Sequence, residues 1–413
     1  MFTKKIFQNV SLYFFASLIK AAISLAINPI IALNMSHYDY ALTGFYTSFN
    51  SLFMPFLTFM FGQYYSRNYF RLKSSKDRDK LGGNLVSAQL VFGMVELVIV
   101  LIAFSLYSYS NDIKFPLLPY SVISFTTIVF NYVYTFFLLK LKLSRNAKSF
   151  FMYSLYHVII LVIMNIIFVV LLKTGGLGKL LAPFVTSLIF AVILFPKISK
   201  GINLEKKITI DALKFCWPLI IAGALSYFFS GFDRSLLAKL DNDYQLGLYN
   251  VAMTITGFLV IVQTSILSTF QPDIFKAVAE NNKKKIILVL TGINLLNTVP
   301  ILIFIILAPY LLDIFTGGKF TEAYRFARIL ALKNITAGMY YSISGLVIAY
   351  GFTKWTLVYK IIGSILSIFL FKYLVNSYAF YGAAWGQVFS YLSLAIIAAS
   401  IMMFNKKNLH KKV

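Results

Sequence analysis

The chain has 413 residues, of which 59% are hydrophobic, 17% aromatic and 13% charged, and its mean hydropathy is +0.78; a water-soluble fold cannot hide that much apolar surface, so the composition is that of a membrane protein. A single cysteine, Cys216, excludes a disulfide framework and a thiolate zinc site. The formal charge of +24 would point to a nucleic-acid partner in a soluble protein, but its distribution along the chain assigns it elsewhere.

A helix that crosses a hydrocarbon core of ~30 Å needs about 20 mostly apolar residues. On that rule the first half holds spans near residues 11–33, 41–65, 82–108, 115–139, 149–172 and 178–196, and the second half holds spans near 213–238, 246–270, 286–310, 326–350, 355–375 and 379–404. The opening run imitates a signal peptide, with Lys4 and Lys5 ahead of an apolar stretch and small residues at Ala21 and Ala22. It continues to Leu33 with Lys20 in its interior, which suits a first span better. The expected fold is all-α and integral to the membrane, with about 12 transmembrane helices in two six-helix lobes, residues 1–200 and 201–413.

Lysine and arginine mark cytoplasmic connections. One set of connections, together with both termini, carries 26 of them against six acids, and the opposite set carries nine against seven. The basic face is therefore expected in the cytoplasm, with both termini on it; this topology accounts for nearly all of the excess charge, helped by attraction to anionic headgroups.

The halves also echo one another. "HYDYALTGFYTSF" (His37 to Phe49) and "DNDYQLGLYNVAM" (Asp241 to Met253) align Gly44 on Gly247 and Tyr46 on Tyr249, each at the opening of the second span of its half. Six crossings return the chain to its starting face, so the lobes are expected to be parallel repeats, an arrangement suited to alternating access around a central cavity.

An ionisable residue near the bilayer centre costs about 2.5–3.5 kcal/mol on insertion scales and is a functional candidate for that reason. Lys20, Lys333 and Lys360 fall inside spans, and Arg234 lies toward the outer end of span seven. Lys20 and Lys360 count into the inner half and Lys333 and Arg234 into the outer half, a staggered cationic path that suits an anionic cargo. The plainer reading has the lysines snorkelling to an interface and Arg234 paired with a nearby acid. Glu96, His157 and Asp233 are the candidates for proton or sodium coupling, although a lone histidine among aromatics is more often structural. Tyr64, Tyr65, Tyr69, Tyr340 and Tyr341 are expected to anchor at the interface. Pro55 and Pro300, inside spans two and nine, are expected bending points. "TGGLGKL" and "TGGKFT" lack the spacing of a phosphate loop, and no metal or other cofactor is expected.

Leu213 to Met253 resembles the start of the C-terminal lobe in polysaccharide flippases of the multidrug/oligosaccharidyl-lipid/polysaccharide exporter superfamily. The residues that carry the resemblance are Pro218, Asp233 with Arg234, and Gly247, Tyr249 and Ala252. "YGAAWGQVFSYL" (Tyr381 to Leu392) resembles that family's opening to span twelve, with its alanines one step early. The resemblance implies a flippase, not an enzyme, that moves an undecaprenyl-pyrophosphate-linked oligosaccharide from the cytoplasmic to the outer leaflet of the bacterial plasma membrane, most like the Wzx-type O-antigen branch. It implies membrane lipids and lipid-linked oligosaccharide as partners, a polymerase and a chain-length regulator beside them, no nucleic acid, and a functional monomer. The rivals are exporters of other lipid-linked glycans or of drugs, and a membrane glycan polymerase. Polymerases generally gather their functional residues in a large outer loop, whereas every outer connection here is short.

Overall fold

The computed structural model describes residues 4–350 and 353–410, which contain helices and their connections and no strand. The chain divides into two compact units, Met1–Ala224 and Leu225–Val413.

In the first unit, α1 (Lys4–Leu33) is followed by three short helices where one span is expected: α2 (His37–Ser48), α3 (Asn50–Thr58) and α4 (Phe61–Tyr69). Then come α5 (Ser75–Ser110), α6 (Tyr120–Leu143), α7 (Ala147–Asn165), α8 (Gly175–Ile198) and α9 (Lys206–Ala224). A π-helical turn, Ile166–Leu171, continues α7. Helix α9, which the sequence reading places at the head of the second lobe, packs in this unit against α3, α4 and α5.

Local chemistry sets the ends of these helices. Ser36 and Asp39 form a reciprocal capping box on α2, and Asp39 Oδ1 also accepts the Gly176 amide at 2.7 Å, which ties the start of α2 to the start of α8. The Tyr46 hydroxyl donates to the Pro116 carbonyl at 2.5 Å, bringing the α5–α6 connection to the same end. At the other end Lys140 pairs with Asp79 at 2.7 Å, and Lys80 pairs with Glu205. The connection between α8 and α9 is laced to α5: Asn84 Nδ2 donates to the Asn203 carbonyl at 3.2 Å, and the Asn203 amide donates to Ser87 Oγ at 3.1 Å.

Helix α3 holds Pro55 and ends three residues later at Thr58, after which Phe59 and Met60 both take left-handed backbone angles, φ 50° and 51°. Two such residues interrupt the i→i−4 ladder, and a carbonyl stranded in hydrocarbon is costly unless another donor reaches it. The buried Gln89 of α5 is that donor, its Nε2 lying 3.0 Å from the Leu57 carbonyl and 3.3 Å from that of Val129. Gly93, one turn further along, permits the approach, since a Cβ there would stand 3.0 Å from the Leu57 oxygen. The Cys216 thiol points to the Met60 carbonyl at 3.4 Å. Pro55 thus precedes a true break, whereas Pro300 sits in an uninterrupted helix.

The second unit begins with two fragments, α10 (Tyr227–Ser230) and α11 (Phe232–Leu237), in place of one continuous outer half of span seven. The long helices α12 (Asp243–Ala279), α13 (Lys283–Thr316), α14 (Tyr324–Ala349) and α15 (Thr353–His410) follow. Helix α15 is two helices joined at Ala379, whose φ of 47° and ψ of −123° are not helical. Gly363 faces Leu394 and Gly386 faces Phe371; the paired numbers run in opposite senses, so the chain doubles back at Ala379. Between α12, α13 and α14 the Asn334 carbonyl accepts Gln263 Nε2 at 2.8 Å and Asn297 Nδ2 at 3.2 Å, while Asn334 Nδ2 donates to the Thr256 carbonyl at 3.3 Å.

Among the described residues, eight helices are long and apolar enough to cross a membrane, one of them the doubled-back Trp355–Phe404. The protein is a multi-pass membrane protein. Three expected spans fall outside the eight for visible reasons. The described part of the first that is apolar enough is the shorter Leu18–Leu33. The second is broken at Phe59 and Met60, and α14 is less apolar than the eight, with Lys333, Asn334 and a run of small, hydroxylated and tyrosine residues along it. The expected tyrosine anchors are corrected in part: Tyr65, Tyr69 and Tyr340 are buried in the protein core, with Tyr65 wholly so, while Tyr341 is exposed.

Replacing Gln89 by Leu keeps the volume and removes the donor to Leu57 and Val129. Because an unpaired buried acceptor costs about 1–3 kcal/mol, we expect Gln89→Leu to lower the thermal unfolding midpoint in detergent, as read by intrinsic fluorescence. A midpoint equal to wild type would show that the Leu57 carbonyl finds another partner.

Candidate binding sites within the membrane

The buried charges form separate groups, one set in each unit. In the first unit Lys20 of α1 reaches over the ring of Tyr134 on α6, with Nζ 5.9 Å from the ring centroid. Tyr134 stacks on His157 of α7 at 4.0 Å with an interplanar angle of 15°, and Phe190 of α8 packs beside both rings, 5.3 Å from Tyr134 and 5.0 Å from the imidazole. Lys20, Tyr134 and His157 therefore form one cation–aromatic column. His157 is buried and its Nδ1 has no hydrogen-bond partner among the described residues.

Glu96 is not part of this column. It lines a largely apolar groove of about 460 Å³ with Phe59, Phe92, Leu204, Lys206 and Leu213. Burial there is incomplete, and no ion pair joins Glu96 to a cation among the described residues.

In the second unit the sequence neighbours Asp233 and Arg234 sit at the start of α11. Asp233 is wholly buried, and its Oδ2 accepts the Tyr249 hydroxyl at 2.5 Å. Its Oδ1 faces Arg234 Nε at 3.8 Å, beyond hydrogen-bond reach. Arg234 Nη2 also donates to the Ser230 carbonyl at 3.1 Å, a carbonyl released by the helix interruption at Gly231. Lys333 of α14 lies near enough to feel both charges. By residue type, the group holds two basic side chains and one acidic one.

Lys360 stands apart at the neighbouring discontinuity, between α9 and α10, where Nζ donates to Ser226 Oγ at 3.3 Å. Ser364, one turn along the same helix, donates to the Leu225 carbonyl at 3.0 Å. The structure thus brings together Lys20 with His157, and Asp233 with Arg234 and Lys333; Glu96 and Lys360 lie elsewhere. Sequence reasoning passed over the buried amides Gln89, Gln263, Asn297 and Asn334. Each is an amide inside an expected span, and that is the signal that finds it, because such a group needs a partner in the bilayer.

A family model described as polysaccharide biosynthesis protein matches residues 6–278. The chain belongs to that family. A second model, MatE, matches residues 218–374. Among solved structures, the lipid II flippase MurJ in an inward closed conformation superposes with a TM-score of 0.70 at 18% identity, covering 94% of this chain and 87% of that one. An inward-facing multidrug resistance MATE family transporter of the MOP superfamily gives 0.69 at 15% identity, covering 95% and 99%. A MOP superfamily transporter from Pyrococcus furiosus, described as having a binding pocket of reverse polarity, gives 0.63 at 14% identity, covering 94% and 93%. No curated protein matches the chain. At these identities the likeness establishes the fold alone; the matching structures are described as transporters and a flippase.

The Asp233–Tyr249 bond yields a direct test within this family fold. Tyr249→Phe removes the donor and leaves a carboxylate buried among rings. We expect a loss of stability of about 1.5–3 kcal/mol, the range for a hydrogen bond to a charged group. Asp233→Asn with Tyr249 intact should cost less, because the amide oxygen still accepts from the hydroxyl. Equal thermal midpoints for the two variants would show that the Tyr249–Asp233 hydrogen bond is not what fixes this carboxyl group.

Proposed function

We propose that this protein is a flippase that carries an undecaprenyl-pyrophosphate-linked oligosaccharide, such as an O-antigen repeat unit, from the cytoplasmic to the outer leaflet of the bacterial plasma membrane. It works by alternating access of two six-helix lobes, 1–200 and 201–413, with twelve crossings and both termini in the cytoplasm. The observation that carries this reading is the sign of the charge kept within the spans: Lys20, Lys333, Lys360 and Arg234 against Glu96 and Asp233. A pyrophosphate leaving water needs fixed cations to offset its desolvation, and lysine and arginine supply them as mobile and bidentate partners.

Coupling to a proton or sodium gradient is assigned to Asp233, whose Oδ1 is not held by a hydrogen bond, with Glu96 and His157 as the alternatives. Polymerase and chain-length regulator are the partners this reading supplies on the outer side, and the monomer is the working unit. A second reading, export of drugs, is favoured by the MatE match over residues 218–374. Commonly cationic drugs would meet repulsion from the buried lysines, and that is the ground for preferring the lipid-linked glycan.

Deletion of the gene should cause undecaprenyl-linked oligosaccharide to accumulate on the cytoplasmic leaflet. Lys20→Ala and Lys333→Ala should fail to relieve that accumulation while the protein remains inserted at wild-type level. The measurement is leaflet-specific labelling of the lipid-linked glycan. Full complementation by both variants would remove the cationic path, and an unchanged leaflet distribution on deletion, accompanied by drug sensitivity, would favour the second reading.

A further inference from the structure

At the end of the second unit, where α12 and α14 begin and α15 doubles back, three segments enclose a recess of about 190 Å³. Its working groups are Gln245, Glu322, Arg325, Phe326, Tyr378 and Tyr381. We propose that this recess is a carbohydrate subsite that receives a neutral sugar of the cargo at the extracytoplasmic mouth; the proposal rests on the flippase reading and on its topology.

The chemistry of a pyranose matches the walls. A sugar ring has apolar C–H faces and an edge of hydroxyls, so its site needs aromatic planes beside planar groups that donate and accept hydrogen bonds. Tyr378 and Tyr381 are 64% and 43% exposed, leaving ring faces open. Tyr381 is buttressed from behind by Phe326, with ring centroids 5.0 Å apart. Arg325 offers a fork of donors, Glu322 a pair of acceptors and Gln245 one of each. The Tyr244 hydroxyl lies 3.4 Å from Glu322 Oε2 and steadies that carboxylate. One positive and one negative side chain leave the recess without net charge, which suits a hydroxylated neutral ring and not a phosphate. Its volume is that of about six waters at ~30 Å³ each, enough for one ring.

The backbone supports the same assignment. The doubling back between Tyr378 and Tyr381 turns on Ala379 at φ 47°, a conformation in which glycine would be unstrained and alanine is not. Strain of that kind is retained where surrounding structure holds it, commonly at ligand clamps. Tyrosines that anchor a protein at the membrane interface face lipid on a convex surface, whereas these two line a concavity shared with an acid, an arginine and an amide.

Position relates the recess to the buried charges. Phe326 lies against Tyr249, ring centroids 5.8 Å apart, and Tyr249 donates to Asp233. Along α14, Arg325 precedes Lys333 by eight residues, about 12 Å at ~1.5 Å per residue.

The test uses the full chain in nanodiscs and, as probe, the free oligosaccharide released by mild acid from the host's own lipid-linked repeat unit. Isothermal titration should detect binding to wild type, and Tyr381→Ala and Arg325→Ala should each weaken it by about tenfold, the factor that ~1.4 kcal/mol represents. Tyr381→Phe, which keeps the ring, should restore binding, and thermal midpoints identify any variant that fails to fold. No binding by wild type, or binding unchanged in Tyr381→Ala and Arg325→Ala, overturns the subsite. Leaflet labelling in the deletion strain is scored separately: normal flipping with no glycan binding leaves the flippase and removes the subsite. Glycan binding that depends on Tyr381 in a strain with no leaflet defect keeps the subsite and removes the flippase.

Discussion

A backbone carbonyl that loses its helical partner inside a bilayer has no water to turn to, and this constraint organises the protein. The chain breaks its helices at Phe59 and Met60, after Ala224 and at Gly231. Donors from neighbouring helices reach carbonyls at or beside each break: Gln89 at Leu57, Ser364 at Leu225, and Arg234 at Ser230. Close approach is needed for such contacts, and Gly93 against Leu57 shows how it is obtained. A break without its donor would be unstable, but the converse does not hold, since Gln263, Asn297 and Asn334 bond the carbonyls of Asn334 and Thr256 within uninterrupted helices.

The two tyrosines of the sequence echo show how a repeated frame acquires different uses. Tyr46 and Tyr249 align in sequence, but Tyr46 stands in the last turn of the short helix that Ser36 caps and Tyr249 in the second turn of the long helix that Asn242 caps. Tyr46 donates to the Pro116 carbonyl and so fastens a connection. Tyr249 donates to Asp233 and so fixes a charge. The hydroxyl is a structural tie in one unit and a part of the candidate site in the other. The echo itself is scaffold, and the difference lies in the residues that meet it.

Much of this was legible in advance for a simple reason: hydropathy is a local property, and an apolar run of about 20 residues has few other destinations. The buried cations were legible on the same ground, since each interrupts such a run. The helix breaks were not, because Phe59, Met60 and Ala379 are not residues that announce a left-handed backbone, and Pro55 points to a place four residues too early. Pro300 looks identical in sequence and breaks nothing. Tyr65 and Tyr340 misled in the opposite direction: tyrosine near a predicted interface is ordinarily an anchor, yet here packing inside the unit buries both. Which partner a side chain meets is a long-range fact, and Gln89 with Leu57, 32 residues apart, is legible only once the fold is known.

The grouping of charges bears on mechanism more than their number does. Tyr249 occupies one carboxylate oxygen of Asp233 at 2.5 Å, while the other stands 3.8 Å from the Arg234 guanidinium. Arg234 Nη2 is held in turn by the Ser230 carbonyl at 3.1 Å. Each of the two sequence neighbours is thus fixed by a group other than the adjacent charge, the carboxylate by a tyrosine hydroxyl and the guanidinium by the backbone of the interrupted helix. In the proposed flippase these are the groups that an anionic cargo and a coupling ion would meet.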